Sequence, residues 1–301
     1  MRRALFGIGL GLFVALLATP AVAAGQPNTV AATPALWTVH GPKGTAYLLG
    51  SIHMLPKNVN WQTAQILEAV KRADTFVFEV PMDKDTKERA LADIRENAVL
   101  PLSTSLISLF DEEMRDDFRQ VIMSTHADPT YVVYMRPWLA AMDLEGAANG
   151  DPRFVSAEGV DNKIYAMVEA RKGTHFRAFE TYQQQFRLLM GNGNLKDELA
   201  ALRITFKKIL SEHGANIDDV LTAWAKGDMK ALAGFGPDNQ EMSPADRKAL
   251  LEDRNRNWIP QITAMLNERH TYFITVGAGH LVGKTGVPNL LRAAGYKVDG
   301  P

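Results

Sequence analysis

The chain has 301 residues, 46% hydrophobic and 22% charged, with 33 basic and 34 acidic side chains and a formal net charge of -1. That is a globular composition with length for one large domain or two smaller ones, and it lacks the basic excess a nucleic-acid partner calls for. It contains no cysteine, which excludes disulfides and an acylated amino-terminal cysteine.

The first 24 residues read as a secretory signal peptide rather than a membrane anchor. Arg2 and Arg3 are followed by the apolar segment Ala4 to Leu17 and by Ala21-Val22-Ala23, a small-residue cleavage site, with cutting after Ala23 or Ala24. Losing the two arginines leaves 31 basic residues (33 minus 2) against 34 acidic ones, a mature charge of -3. No later run approaches the roughly 18 apolar residues of a spanning helix. The expectation is an exported chain working in a bacterial periplasm, with no membrane span after cleavage.

After a leader from Gly25 to Pro34, Leu36–His40 and Ala46–Leu49 are strand candidates joined by the turn-rich Gly41-Pro42-Lys43-Gly44, the signature of a hairpin. Trp61 to Ala73 has helical spacing of Ile66, Ala69, Val70 and Ala73, with Asn60 as the cap. Thr75 to Val80 is a further buried strand, so strand, helix and strand form a βαβ unit with parallel strands. From Asp83 to about Gly236 the pattern is mostly helical. Helices are predicted over 84–98, 105–125, 131–147, 162–171, 182–190, 195–213 and 217–225, with Pro137 kinking or dividing one of them. Phe176 to Phe179 suits an additional strand. Ser243-Pro244-Ala245-Asp246 begins a helix with a capping serine and proline in the first turn. It runs to about Trp258, with a kink predicted at Pro260, and Leu251, Trp258 and Ile262 form an apolar stripe along it. Arg254 lies inside that stripe and therefore needs a partner or a water-filled cleft. Tyr272–Val276 is another buried strand, followed by a helix over 287–294 and a last strand over 296–298. The fold class is α/β: a mixed, largely parallel central sheet flanked by helices, in one domain over 25–301 with a helical insertion at about 84–236.

Two strand candidates end in the same way. Tyr47-Leu48-Leu49 stops at Gly50 and presents His53, and Tyr272 to Val276 stops at Gly277 and presents His280. In each, glycine lets the backbone leave the strand and the histidine follows three residues on, just past the strand's carboxyl end, where open α/β sheets place ligands. Glu79 ends a third strand at the same edge. Taken singly, each has a plain alternative: a satisfied loop histidine, a strand-end carboxylate reaching water, a snorkelling arginine. Together, His53, Glu79, Arg254 and His280 supply two imidazoles, a carboxylate and a guanidinium. His53, Glu79 and His280 suit a divalent metal with positions left open. Without metal, an imidazole serves as general base towards water while Arg254 steadies the developing anion. Both schemes are hydrolytic. His40, His126, His175, His213 and His270 have no such context. Gly50-Ser51-Ile52-His53 lacks the Gly-x-Ser-x-Gly elbow, and no HExxH, Walker A or GxGxxG motif occurs.

The segments LWTVHGPKGTAYLLGSIHMLP, FVFEV, RPWLAA, FETYQQQ, AWAKGD, RNRNW and FITVGAGHLVGKTGVPNLLRAAGYKV run in order from Leu36 to Val298. In these the chain resembles the TraB/PrgY/GumN family, whose animal relatives are the Tiki proteases. The resemblance implies an α/β core related to erythromycin esterase-like and haem-binding uptake proteins, and a presumed active site on His53, Glu79, Arg254 and His280, with Gln185 in support. It further implies a periplasmic hydrolase of peptide bonds using a divalent metal (Mn, Zn or Co), with a peptide or other small periplasmic molecule as substrate. Pro81-Met82 departs from the acidic residue many members carry soon after the glutamate, leaving Asp83 as its substitute. The contrasting readings are a non-catalytic binder of a peptide signal or haem, and a metal-free esterase.

Overall fold

The computed structural model describes residues 29–190, 193–211, 217–239 and 243–301. Residues 1–24, read above as a signal peptide, and His213 lie outside them. In chain order the elements are β1 (Val30–Ala31), β2 (Leu36–His40), β3 (Thr45–Ser51), β4 (Leu55–Pro56), β5 (Val59–Asn60), α1 (Ala64–Arg72), β6 (Thr75–Phe78) and α2 (Lys84–Asn97). Then come α3 (Glu112–Thr125), α4 (Pro129–Val132), α5 (Pro137–Asn149), β7 (Phe154–Val155), α6 (Val160–Val168), β8 (His175–Ala178), α7 (Tyr182–Met190) and α8 (Leu195–Leu210). The last are α9 (Ile217–Ala225), α10 (Met229–Phe235), α11 (Pro244–Arg247), α12 (Asp253–Leu266), β9 (Thr271–Gly277), α13 (Val287–Ala293) and β10 (Lys297–Asp299).

The architecture is mixed α/β. A six-stranded sheet has the order β10-β2-β3-β9-β6-β8. The β10–β2 and β2–β3 ladders are antiparallel, the second being the hairpin that the glycine turn predicts. The β3–β9, β9–β6 and β6–β8 ladders are parallel. The strands of the βαβ unit are thus parallel but not neighbours, because β9 from the far end of the chain lies between them. Six of the seven residues of β9 are buried, as a central strand covered on both faces requires. Trp258, Ile262 and Leu266 of α12 and Leu291 of α13 pack with Leu48, Val77, Tyr272, Ile274 and Val276 of the sheet. Each such apolar side chain contributes roughly 1.5–3 kcal/mol by leaving water.

Several boundaries differ from the sequence reading for local reasons. Helix α1 begins three residues later than predicted and is capped by Thr63, whose hydroxyl accepts the Ile66 N–H at 3.3 Å, while Asn60 joins β5 against Ala31. The predicted 105–125 helix divides into a 3-10 turn, Leu106–Leu109, and α3, capped by Asp111. Pro137 divides the predicted 131–147 helix, as expected, by opening α5 after the short α4. Ser243 caps α11 as predicted, but the helix does not stop near Trp258. It continues through a π-helical turn, Lys248–Glu252, into α12, which contains Pro260.

The chain forms two compact units. One holds the sheet and comprises 29–82, Pro152–Thr181 and Asp218–Pro301; the other comprises Asp83–Asp151 and Tyr182–Ile217. The second is helical, with a core of Leu106, Phe110, Phe118, Val121, Leu144 and Phe206. No helix among the described residues is long and apolar enough to cross a membrane.

Candidate active site

Every side chain of the site belongs to the sheet unit, and the parallel ladders explain how they meet. Ser51 and Gly277 are register partners at the ends of β3 and β9. Phe78 and Ala178 are partners at the ends of β6 and β8, and the Glu180 N–H donates to the Glu79 carbonyl at 2.9 Å. Two glutamates therefore leave the sheet side by side at its carboxyl edge, with His53 and His280 just past the neighbouring strands. Gly50 is not in the left-handed region; it is small because Ala278 crosses it, and a Cβ there would stand 3.0 Å from the Ala278 Cα.

Arg254 is buried at the centre of the first cluster, with 3% of its surface exposed. Its Nε donates to Glu180 Oε1 at 2.8 Å, and one terminal nitrogen (Nη2) to Glu180 Oε2 at 2.9 Å and Glu79 Oε2 at 2.6 Å. Its other terminal nitrogen (Nη1) reaches the Leu250 carbonyl at 3.1 Å and His280 Nε2 at 3.0 Å. Glu79 Oε1 also accepts the Gly277 N–H at 2.6 Å. Burial alone would raise the Glu79 carboxyl, but the Arg254 charge reverses the direction and holds it below its ordinary 4.5.

The state of His280 follows from its neighbours. The Asn255 amide nitrogen donates to the Thr285 carbonyl at 2.9 Å, which turns its oxygen towards His280 Nδ1 at 2.6 Å. Nδ1 therefore carries the proton, and Nε2 offers its lone pair to Arg254. Burial, with the Arg254 charge added, pushes the His280 pKa down to about 3, so the ring is neutral. Glu79 Oε1 lies 3.8 Å from Nε2 without forming an ion pair with it. Trp258 floors the cluster: its ring lies 4.5 Å from the His280 ring and 5.1 Å from the guanidinium, and its Nε1 donates to Glu180 at 2.9 Å.

His53 is held differently. Its Nδ1 lies 2.7 Å from Asp161 Oδ2, and the Ser51 hydroxyl donates to the same oxygen. The loop is pinned to the start of α6, where the Val160 N–H donates to the Ile52 carbonyl at 3.1 Å and a Cβ at Gly159 would collide with the His53 carbonyl oxygen. Burial pulls the His53 pKa down, but Asp161, aided by the Glu79 charge, overrides both burial and Arg254 and lifts it to about 9. Its Nε2 is buried and has no hydrogen-bond partner among the described residues. Leaving such an atom unsatisfied costs about 1–3 kcal/mol.

The sequence profile of the TraB/PrgY/gumN family matches residues 35–300. The chain belongs to the TraB/PrgY/gumN family. Its relatives include the uncharacterized protein YbaP of Shigella flexneri, 24% identical over 261 residues that cover 82% of this chain and 88% of that one. YbaP of Escherichia coli (strain K12) is also 24% identical, over 82% of this chain and 87% of its own length. The metalloprotease TIKI2 of Danio rerio is 24% identical over 88% of this chain and 60% of its own length. No solved structure matches the chain.

The name of the TIKI2 relative raises the question of a metal in this TraB-family chain, and the residues present do not fit one. Among the described residues no three His, Asp or Glu side chains are arranged to hold a metal ion. His280 Nε2, the nitrogen an ion would need, faces the guanidinium, and Nδ1 faces Asn255. His53, Glu79 and His280 therefore do not present lone pairs to one point.

Glu79, Arg254 and His280 form one bonded cluster, and His53 lies within reach of the charges on Glu79 and Arg254. Asp83 caps α2 through the Thr86 N–H, and Gln185 is buried in the helical unit. The second carboxylate beside Glu79 is Glu180, which sequence reasoning did not choose. Its signal was legible in part, since Phe179-Glu180 closes its strand as Phe78-Glu79 closes the other. Asp161 and Asn255 carried no comparable signal, because each reads as an ordinary polar position on a helix.

Proposed function

We propose that this chain is a hydrolase of the periplasm that cleaves acyl bonds, peptide bonds first among them, with His53 as its acid–base group. The observation that supports the reading is the His53 Nε2, buried and unpartnered among the described residues, on a ring whose other nitrogen is fixed by Asp161. In the neutral ring Nε2 takes a proton from water as the water oxygen attacks the carbonyl carbon. The imidazolium then gives that proton to the leaving nitrogen or oxygen as its bond to carbon breaks, which restores the neutral ring. Asp161 keeps the proton on Nδ1 and stabilises the charged intermediate form of the ring. Arg254 does not serve as a free anion binder, because its N–H groups point at Glu180, Glu79, Leu250 and His280. It supplies the charge that keeps Glu79 ionised next to His53.

The preference for peptide bonds is supported by the TIKI2 relative, named a metalloprotease. The periplasmic setting is supported by the signal-like pattern from Arg2 to Ala24. The test is cleavage of a dye-quenched unfolded protein and of a simple aryl ester by the purified mature chain. Turnover is expected to fall about 10²- to 10⁴-fold in His53→Ala, the usual worth of a general acid–base group. A wild-type chain that binds peptide or haem but leaves both substrates intact would establish the non-catalytic reading instead.

A further inference from the structure

Three groups of the kinds that ligate divalent metals converge on Arg254. His280 Nε2 lies 3.0 Å from one terminal nitrogen, Glu79 Oε2 lies 2.6 Å from the other, and Glu180 accepts from Nε at 2.8 Å. Glu79, Arg254 and His280 are all almost wholly buried. We propose that Arg254 is the resident cation of this site, and that it bars divalent metal ions from His280, Glu79 and Glu180. As they stand these groups are not arranged to hold an ion; on this proposal they close on one only when Arg254 is removed.

An ion bound to His280 would sit about 2.0–2.1 Å from Nε2 along its lone pair. That line already ends on an arginine nitrogen 3.0 Å away, so ion and guanidinium would overlap and repel each other. Turning the ring does not help, because the opposite nitrogen is committed to Asn255, whose own amide is fixed by Thr285. Nor does the guanidinium have an easy retreat. It rests on the Trp258 ring and is anchored to the Leu250 carbonyl of the π-helical turn. Moving it would also strip two carboxylates of their counter-charge, which is costly in a buried site. A planar cation with five donors suits this spread of acceptors better than a point ion.

Because this role rests on the hydrolase reading only through its use of the same site, the test reads metal binding and not turnover, so that a failure of one is told from a failure of the other. Wild-type protein, His280→Ala, Arg254→Gln and the double variant Arg254→Gln with His280→Ala are dialysed against Co²⁺, and bound cobalt is read by elemental analysis and visible absorption. Wild type is expected to retain no ion that His280→Ala removes. Arg254→Gln is expected to gain one equivalent that the double variant loses. A wild-type chain that holds one cobalt and releases it on His280→Ala overturns the proposal, and so does a folded Arg254→Gln that binds none. If Arg254→Gln does not fold alone, it is refolded with Co²⁺ present. Recovery of the circular-dichroism signal and of a cooperative melt supports the proposal, since an ion that binds only the folded state stabilises it; failure to recover overturns it.

Discussion

Lowering the pH should weaken this protein through one residue, His280. Its folded pKa is held at about 3, against 6.5 for the free side chain, first by burial and then by the Arg254 charge. Between those values the unfolded chain binds a proton that the folded chain refuses, so stability is complete above 6.5 and is lost as pH falls. Each pH unit costs about 1.4 kcal/mol, so going from 6.5 to about pH 5 removes about 2 kcal/mol. That figure is the same for any folded pKa well below pH 5. The other shifted groups around the site leave the window clear. The raised pKa of His53 makes its contribution fully present below 6.5 and lost only as pH climbs towards about 9. Glu79 and Asp161, both lowered, lose theirs only beneath 4.5 and 3.8. The comparison is His280→Gln, whose amide offers an acceptor to Arg254 and a donor to Asn255 but binds no proton. Urea unfolding of both proteins across this pH range is the assay. Wild type should lose about 2 kcal/mol more than the variant. Parallel profiles would mean that the ring is not kept neutral by burial and Arg254.

The acid–base role of His53 requires the neutral ring, so hydrolysis should rise with pH through about 9; in Asp161→Asn that limb should move towards 6.5, and a wild-type rate already flat at neutral pH would refute the assignment. Glu180→Gln removes the charge that accepts from Arg254 and Trp258, and denaturant titration should show a loss of about 1.5–3 kcal/mol. Gly159→Ala drives a methyl group into the His53 carbonyl oxygen, and turnover should drop about 10²-fold. Gly234→Ala in α10 meets nothing within 4 Å and should raise stability by about 0.5–1 kcal/mol; equal effects of the two alanines on turnover would remove the loop argument.

The frame of the site was legible because strand ends announce themselves. Apolar runs stopping at Gly50, Glu79 and Gly277 marked one sheet edge, and an arginine at core spacing marked the helix that faces it. What the sequence withheld was adjacency. Nothing in the pattern of β9 shows that it inserts between β3 and β6, since burial on both faces fits any inner position. Glu180 was obscured because β8 reads as a weak strand, with His175, Phe176 and Arg177 all exposed. The surroundings of Arg254 were hidden for a related reason: the sequence pattern shows one carboxylate near it, whereas the fold brings two carboxylates, an imidazole and a carbonyl to its donors. Asp161 became visible only once the start of α6 was seen against the His53 loop.

The central place of β9 also governs when the site can come into being. β3 and β6 are made early, yet each needs β9, from the last part of the chain, as its neighbour. Until β9 arrives, two inner strands have unpaired edges, Glu79 lacks the Gly277 N–H, and neither His280 nor the helix bearing Arg254 is yet in place. Such long-range pairing is slow and must be complete before any of its parts is useful. The chain therefore cannot hold a half-built site while it is being synthesised. The cluster around Arg254 is complete only with the closing of the sheet.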